Sequence, residues 1–244
     1  MMIYPFLAPY VLAKTFVNSW FDHVFYDIDC LSETERQELP GMLEVPQLIT
    51  VFPKETEQPI RVATTLEAFR KSPERPTAFV LAGAVASSLG GVSLARNVAD
   101  ALGRSVCFIL PSALESTWSE QWTAAWTVPS RPFASDSDLL AEILGDPNLK
   151  VDFVLGHSRG CLRVAHALSR CPAPPDCEVV TVGGVVDLPL EAGPVRQILG
   201  AYDWLGAANS RLDLEHQVVP ASGHHLNPQL PFALNLSEVL PATI

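Results

Sequence analysis

The sequence predicts a single α/β domain, a mostly parallel sheet with helices on both faces. Three observations carry this. Short apolar runs of strand length alternate with segments whose apolar residues recur at helical spacing. One strand–helix step passes through Gly156-His157-Ser158-Arg159-Gly160, a tight turn suited to a strand that feeds a helix. The 244 residues are 48% hydrophobic and only 18% charged, which supplies the apolar side chains that a covered sheet and one core require.

Residues 1 to about 40 read as a partly helical N-terminal arm with a start signal at Ser32-Glu33-Thr34-Glu35 and no assigned role. Strands are expected at 48–52 and 60–64, where β-branched residues gather. A third spans 77–82 and is followed by a small-residue loop from Gly83 to Gly91. That loop has neither the G-x-G-x-x-G pattern nor the Gly-Lys-Ser/Thr ending of a nucleotide-binding turn. A helix at 94–102, a strand at 106–110 closed by Pro111, and helical stretches near 113–127 and 136–145 come next. The run 151–155 is the strand that enters the Ser158 turn, and 161–168 is the helix that leaves it. Strands at 179–182, 195–199 and 217–219 complete the sheet.

The net charge of -11 argues against a general role on nucleic acid or anionic membranes. Five cysteines, Cys30, Cys107, Cys161, Cys171 and Cys177, are odd in number and lack metal spacing, which favours a reducing, cytoplasmic setting. The apolar N-terminus has no basic leader, is interrupted by Pro5 and Pro9, and is too short to span a bilayer. Neither H-E-x-x-H nor C-x-x-C occurs beside the histidines, so no metal site and no cofactor are expected.

A serine hydroxyl is a poor nucleophile until a base within hydrogen-bond reach can take its proton. The Ser158 turn exposes such a hydroxyl, and glycines stand at 156 and 160 because a side chain there would collide with the strand or the helix. From about residue 45 onward the order of elements is similar to the α/β-hydrolase fold. The motifs that carry the resemblance are the Ser158 turn, Gly200-Ala201-Tyr202-Asp203 and Gly223-His224. They are specific for that superfamily and not for one family within it. The resemblance implies a nucleophile, Ser158, after the fifth strand, an acid, Asp203, after the seventh, and a base, His224, after the last. It also implies an oxyanion hole made by the backbone N–H of Arg159 and one from the loop after the third strand. Ala82-Gly83 stands there where many relatives have His-Gly, and Ala84 is the donor candidate, with Val85 second.

Each role has a rival. Asp203 could simply cap the helix that starts at Trp204, and Asp187 is the competing acid. His225 adjoins His224, and His157 is read as a packing residue turned away from the nucleophile. Trp118, Trp122 and Trp126 share one helical face, which either packs on the sheet or walls the substrate, and Trp204 could line the site too. The sixth and seventh strands are separated only by residues 187–194, which leaves no room for a cap, so cover would come from the tryptophan segment or the arm.

The expected activity is that of a serine hydrolase acting on a carboxylic ester or thioester, free or carrier-bound, through an acyl-Ser158 intermediate. An acyltransferase or cyclase would use the same three residues with an amine or alcohol in place of water. A non-catalytic binding protein could also retain such a fold.

Overall fold

A computed structural model of the chain describes residues 20–39, 46–83, 86–111, 134–189 and 193–240. Its centre is an eight-stranded sheet in the order β2-β1-β4-β3-β5-β6-β7-β8. The strands are β1 (Gln47–Val51), β2 (Arg61–Ala63), β3 (Ala78–Leu81), β4 (Val106–Leu110), β5 (Phe153–His157), β6 (Glu178–Val182), β7 (Val195–Gly200) and β8 (Gln217–Val219). Only β1 runs antiparallel to its neighbours, β2 and β4; every other pairing is parallel. This is the mixed α/β class that the sequence predicts, and it is compatible with the α/β-hydrolase fold.

The strands read as continuous apolar runs because both faces of the sheet are covered. Period-two alternation then divides them between two cores. Ile49, Val80, Phe108 and Leu155 turn into a core shared with the arm and the helix that follows β3. Leu48, Phe79, Ile109 and Val154 turn the other way, onto Leu140, Ile143, Val164 and Leu168.

Helix α1 comprises residues 20–25, α2 Glu33–Glu38 and α3 Leu66–Arg70. Helix α4 (Ser88–Leu102) starts well before the expected residue 94 and takes in Gly90 and Gly91, which the sequence places in a loop. Packing explains the difference. A Cβ at Gly91 would lie 2.0 Å from the Phe108 ring, and one at Gly90 would lie 2.0 Å from Asp22 Oδ1. The helix accepts roughly 1 kcal/mol per glycine in propensity so that it can sit against β4 and the arm. Helix α5 is Ala134–Leu144 and α6 is Arg159–Arg170, while the short α7 (Trp204–Ala208) and α8 (Leu236–Val239) follow β7 and β8. The expected helical stretch at 113–127, with Trp118, Trp122 and Trp126, lies outside the described residues, as do Ala84 and Val85.

The start signal at Ser32 forms a reciprocal cap. The Glu35 N–H donates to Ser32 Oγ at 3.2 Å, and the Ser32 N–H donates to Glu35 Oε2 at 2.8 Å. Glu35 also pairs with Arg96 of α4, which fastens the arm to the body of the domain. Among the described residues no helix is long and apolar enough to cross a membrane.

The chain leaves β3 toward β4 on one side and returns past it to β5 on the other. Such a reversal opens a crevice at the carboxyl ends of the two diverging strands. Ser158 follows β5 directly, at that reversal.

Candidate active site

The nucleophile candidate is held in a conformation that L-residues avoid. Ser158 has φ 57° and ψ -123°, at a cost of order 1–3 kcal/mol that the surroundings must offset. Its N–H donates to the Val182 carbonyl at 2.8 Å, and its own carbonyl accepts the Cys161 N–H at 3.0 Å. The flanking glycines are sterically required: a Cβ at Gly160 would lie 2.2 Å from the Leu81 carbonyl oxygen, and one at Gly156 would lie 2.7 Å from the Cys161 nitrogen. The turn therefore lifts the Ser158 side chain above the end of the sheet at the start of α6.

Asp203 and His224 come to this point from the ends of β7 and β8. His224 Nε2 lies 3.0 Å from Ser158 Oγ. Its Nδ1 lies 2.9 Å from each oxygen of Asp203. An ionised carboxylate only accepts, so Nδ1 carries the proton and Nε2 presents its lone pair to the serine hydroxyl. Asp203 is 2% exposed, and its Oδ1 also accepts the Gly206 N–H at 2.6 Å. Asp203 therefore caps α7 and accepts from the His224 imidazole with the same carboxylate.

Two glycines make room for the pair. A Cβ at Gly206 would lie 2.4 Å from Asp203 Oδ2. Gly183, at φ 67°, leaves open the space beside His224 Cε1 that a Cβ would enter at 3.0 Å. The histidine loop is tied down at both ends by Tyr202 N–H to Ser222 O at 2.8 Å and Leu234 N–H to His225 O at 2.9 Å. His225 faces its own loop and donates to the Pro231 carbonyl at 2.8 Å. Asp187 is exposed and is not bonded to His224. Trp204 stands 73% exposed, and its neighbour Leu205 lines the cavity beside Ser158.

Arg159 opens α6, so its backbone N–H belongs to the first turn, where N–H groups lack acceptors within the helix. Gly83, just after β3, lies beside Ser158, since a Cβ on it would lie 3.3 Å from Ser158 Cβ. This stretch is gripped from two directions. Arg163 donates to the Ala82 carbonyl at 3.3 Å while paired with buried Asp136 at 2.9 Å. The Gly83 N–H donates to Tyr26 Oη at 3.2 Å.

Tyr26 belongs to the arm, to which the sequence assigns no role. Its hydroxyl lies 3.1 Å from His157 Nδ1, and His157 Nε2 lies 3.1 Å from the His224 carbonyl. A carbonyl only accepts, so Nε2 bears the His157 proton and Nδ1 accepts from the tyrosine hydroxyl. Burial first, then the neighbouring His224, pushes His157 down to about 3, so it stays neutral. The residue read as mere packing is bonded at both nitrogens and links the arm to the backbone of His224.

The rest of the arm closes around the site. Phe25 meets the His224 ring edge-on at 5.6 Å and stacks on Phe21 at 5.9 Å. Asp22, fully buried, accepts from Ser87 Oγ at 2.5 Å and from the Ser87 N–H at 3.2 Å. Burial raises its carboxyl to about 7 despite these bonds. The sequence signal that could have exposed the arm's part is Phe21 and Phe25 at i, i+4, one apolar face of a short helix.

All five cysteine thiols are free, and Cys161, buried in α6, is pushed up to about 12 chiefly by burial. Among the described residues no three His, Cys, Asp or Glu side chains are grouped to hold a metal ion. No protein-family model matches the chain, and no curated protein sequence does.

Proposed function

We propose that this protein is a serine hydrolase of the α/β-hydrolase type that cleaves a carboxylic ester or thioester. The observation that carries the reading is the continuous chain from Ser158 Oγ to His224 Nε2 at 3.0 Å and from His224 Nδ1 to Asp203 at 2.9 Å, assembled at a strained turn.

His224 takes the hydroxyl proton as Ser158 Oγ attacks the substrate carbonyl carbon, and Asp203 stabilises the imidazolium that results. The oxyanion draws on the Arg159 N–H and on a donor from the loop after β3, where the sequence points to Ala84. The imidazolium passes its proton to the leaving oxygen or sulfur as that bond breaks, leaving acyl-Ser158. Water then attacks the acyl carbon, His224 takes the water proton and returns it to Ser158 Oγ, and the carboxylic acid departs. Free buried thiols accord with a reducing, cytoplasmic setting.

The test is covalent. A fluorophosphonate probe should label the wild-type chain at Ser158, and Ser158→Ala should take up none. A folded wild-type protein that resists the probe and turns over no ester or thioester would be a binding protein on this scaffold.

A further inference from the structure

We propose that residues 21–26 of the arm form a fixed acyl pocket that limits the substrate to short aliphatic acyl groups. The inference rests on the hydrolase reading above and deepens it.

A cavity of about 60 Å³ adjoins the nucleophile, with Ser158, His224, Phe21, Phe25, Tyr26 and Leu205 among its walls. One water takes up about 30 Å³ in the liquid, so the space holds no more than a few such groups. The carbon chain of an acetyl, propionyl or butyryl group fits, and an octanoyl chain does not. The wall is held from both sides. Asp22 binds Ser87 at the start of α4 through two hydrogen bonds of 2.5 and 3.2 Å. On the other side the Leu226 N–H donates to the Phe25 carbonyl at 2.8 Å, and Asn227 Nδ2 donates to the His23 carbonyl at 2.7 Å. Tyr26 adds its bonds to Gly83 and His157. Widening the pocket means breaking several of these bonds at once.

The chemistry of the lining points the same way. Among the described residues no Lys or Arg reaches the cavity, so an acyl group with its own carboxylate finds no counter-charge there. The Asp22 carboxyl does reach it and is engaged with Ser87 through both oxygens. The faces that remain are aromatic and aliphatic.

Esters of one leaving group with acetyl, butyryl and octanoyl chains test the proposal by kcat/KM. The octanoyl ester should fall at least ~10-fold below the butyryl ester, since each misplaced methylene is costly in a fitted pocket. Phe21→Ala, which removes a wall ring, should raise the octanoyl-to-butyryl ratio ~10-fold. Phe21→Leu, a smaller trim, should move the ratio the same way and serves if the alanine variant does not fold. A wild-type enzyme that labels at Ser158 yet prefers the octanoyl ester overturns the pocket and leaves the hydrolase reading standing. So does a ratio unmoved in a folded Phe21 variant. No labelling and no turnover of any ester overturns both.

Discussion

The turn at Ser158 and the arm at residues 20–39 lie against the same site and were written into the chain in different ways. The turn is local. Five consecutive residues, two of them glycines with no room for a Cβ, create the bend, and a strand and helix on either side hold it. The arm is assembled from a distance. Tyr26 reaches His157 across 131 positions, and Asn227 reaches the His23 carbonyl across 204. A pattern read along the sequence finds the first kind of construction and misses the second.

The largest losses are expected at the bend. Ser158→Ala should lower kcat by about 10³-fold or more while leaving the fold intact, because it removes one hydroxyl at the site surface. His224→Ala should be comparably inactive, whereas His225→Ala should keep most of its kcat, its ring being engaged with Pro231. Active His224→Ala enzyme would remove the assigned base.

The acid comes next. Asp203→Asn keeps the shape and can still cap α7, but it favours the wrong imidazole tautomer and no longer balances the imidazolium. A loss of about 10²–10⁴ in kcat is expected, against little change for exposed Asp187→Asn. The reverse ranking, measured with one ester at saturating concentration, would move the acid to the loop after β6.

The same distinction between local and distant construction separates the elements the sequence reveals from those it hides. That Ser158, Asp203 and His224 come together at one end of the sheet was readable because each follows a strand in a short pattern of its own. The start of α4 was not, because Gly90 and Gly91 signal a loop until Phe108 and Asp22 are seen to occupy the space a Cβ would need. Strand β5 runs on through Gly156 and His157, past the expected end at 155, because both pair with β6, opposite Thr181 and Val182. The sequence reading points to Trp204 and not to Leu205, which lines the cavity. On a helix one step turns the side chain by about 100°, and the direction of the first turn is set by the Asp203 cap.

Tyr26→Phe tests the arm. The change keeps the ring and removes the hydroxyl, leaving two buried groups, the Gly83 N–H and His157 Nδ1, without that partner. Stability should fall by about 2 kcal/mol, seen as a lower urea midpoint. Because His157 also holds the His224 carbonyl, kcat should drop ~10-fold with KM nearly constant, a misplacement effect. A normal kcat in the folded variant would reduce Tyr26 to a packing residue.

A change of pH isolates the arm from the bend. Asp22 has an ordinary carboxyl value of 3.8, which burial in the fold raises to about 7. Between those two pH values the folded protein retains a proton that the unfolded chain has released. The contribution of Asp22 to stability therefore falls as pH rises through that window and levels off above it. His157 acts in the opposite sense: its folded value, lowered to about 3, costs stability as pH falls below the ordinary histidine value of 6.5. That contribution is common to wild type and Asp22→Asn and cancels in their difference. Asparagine cannot ionise and can still meet Ser87 with one acceptor and one donor. The stability of Asp22→Asn relative to wild type should accordingly rise between pH 4.5 and pH 7.5, measured from urea midpoints across the ~4–7 window. A difference that does not change with pH would mean that Asp22 ionises as freely in the fold as in the unfolded chain, and the arm would then be held at α4 by a carboxylate at no electrostatic cost.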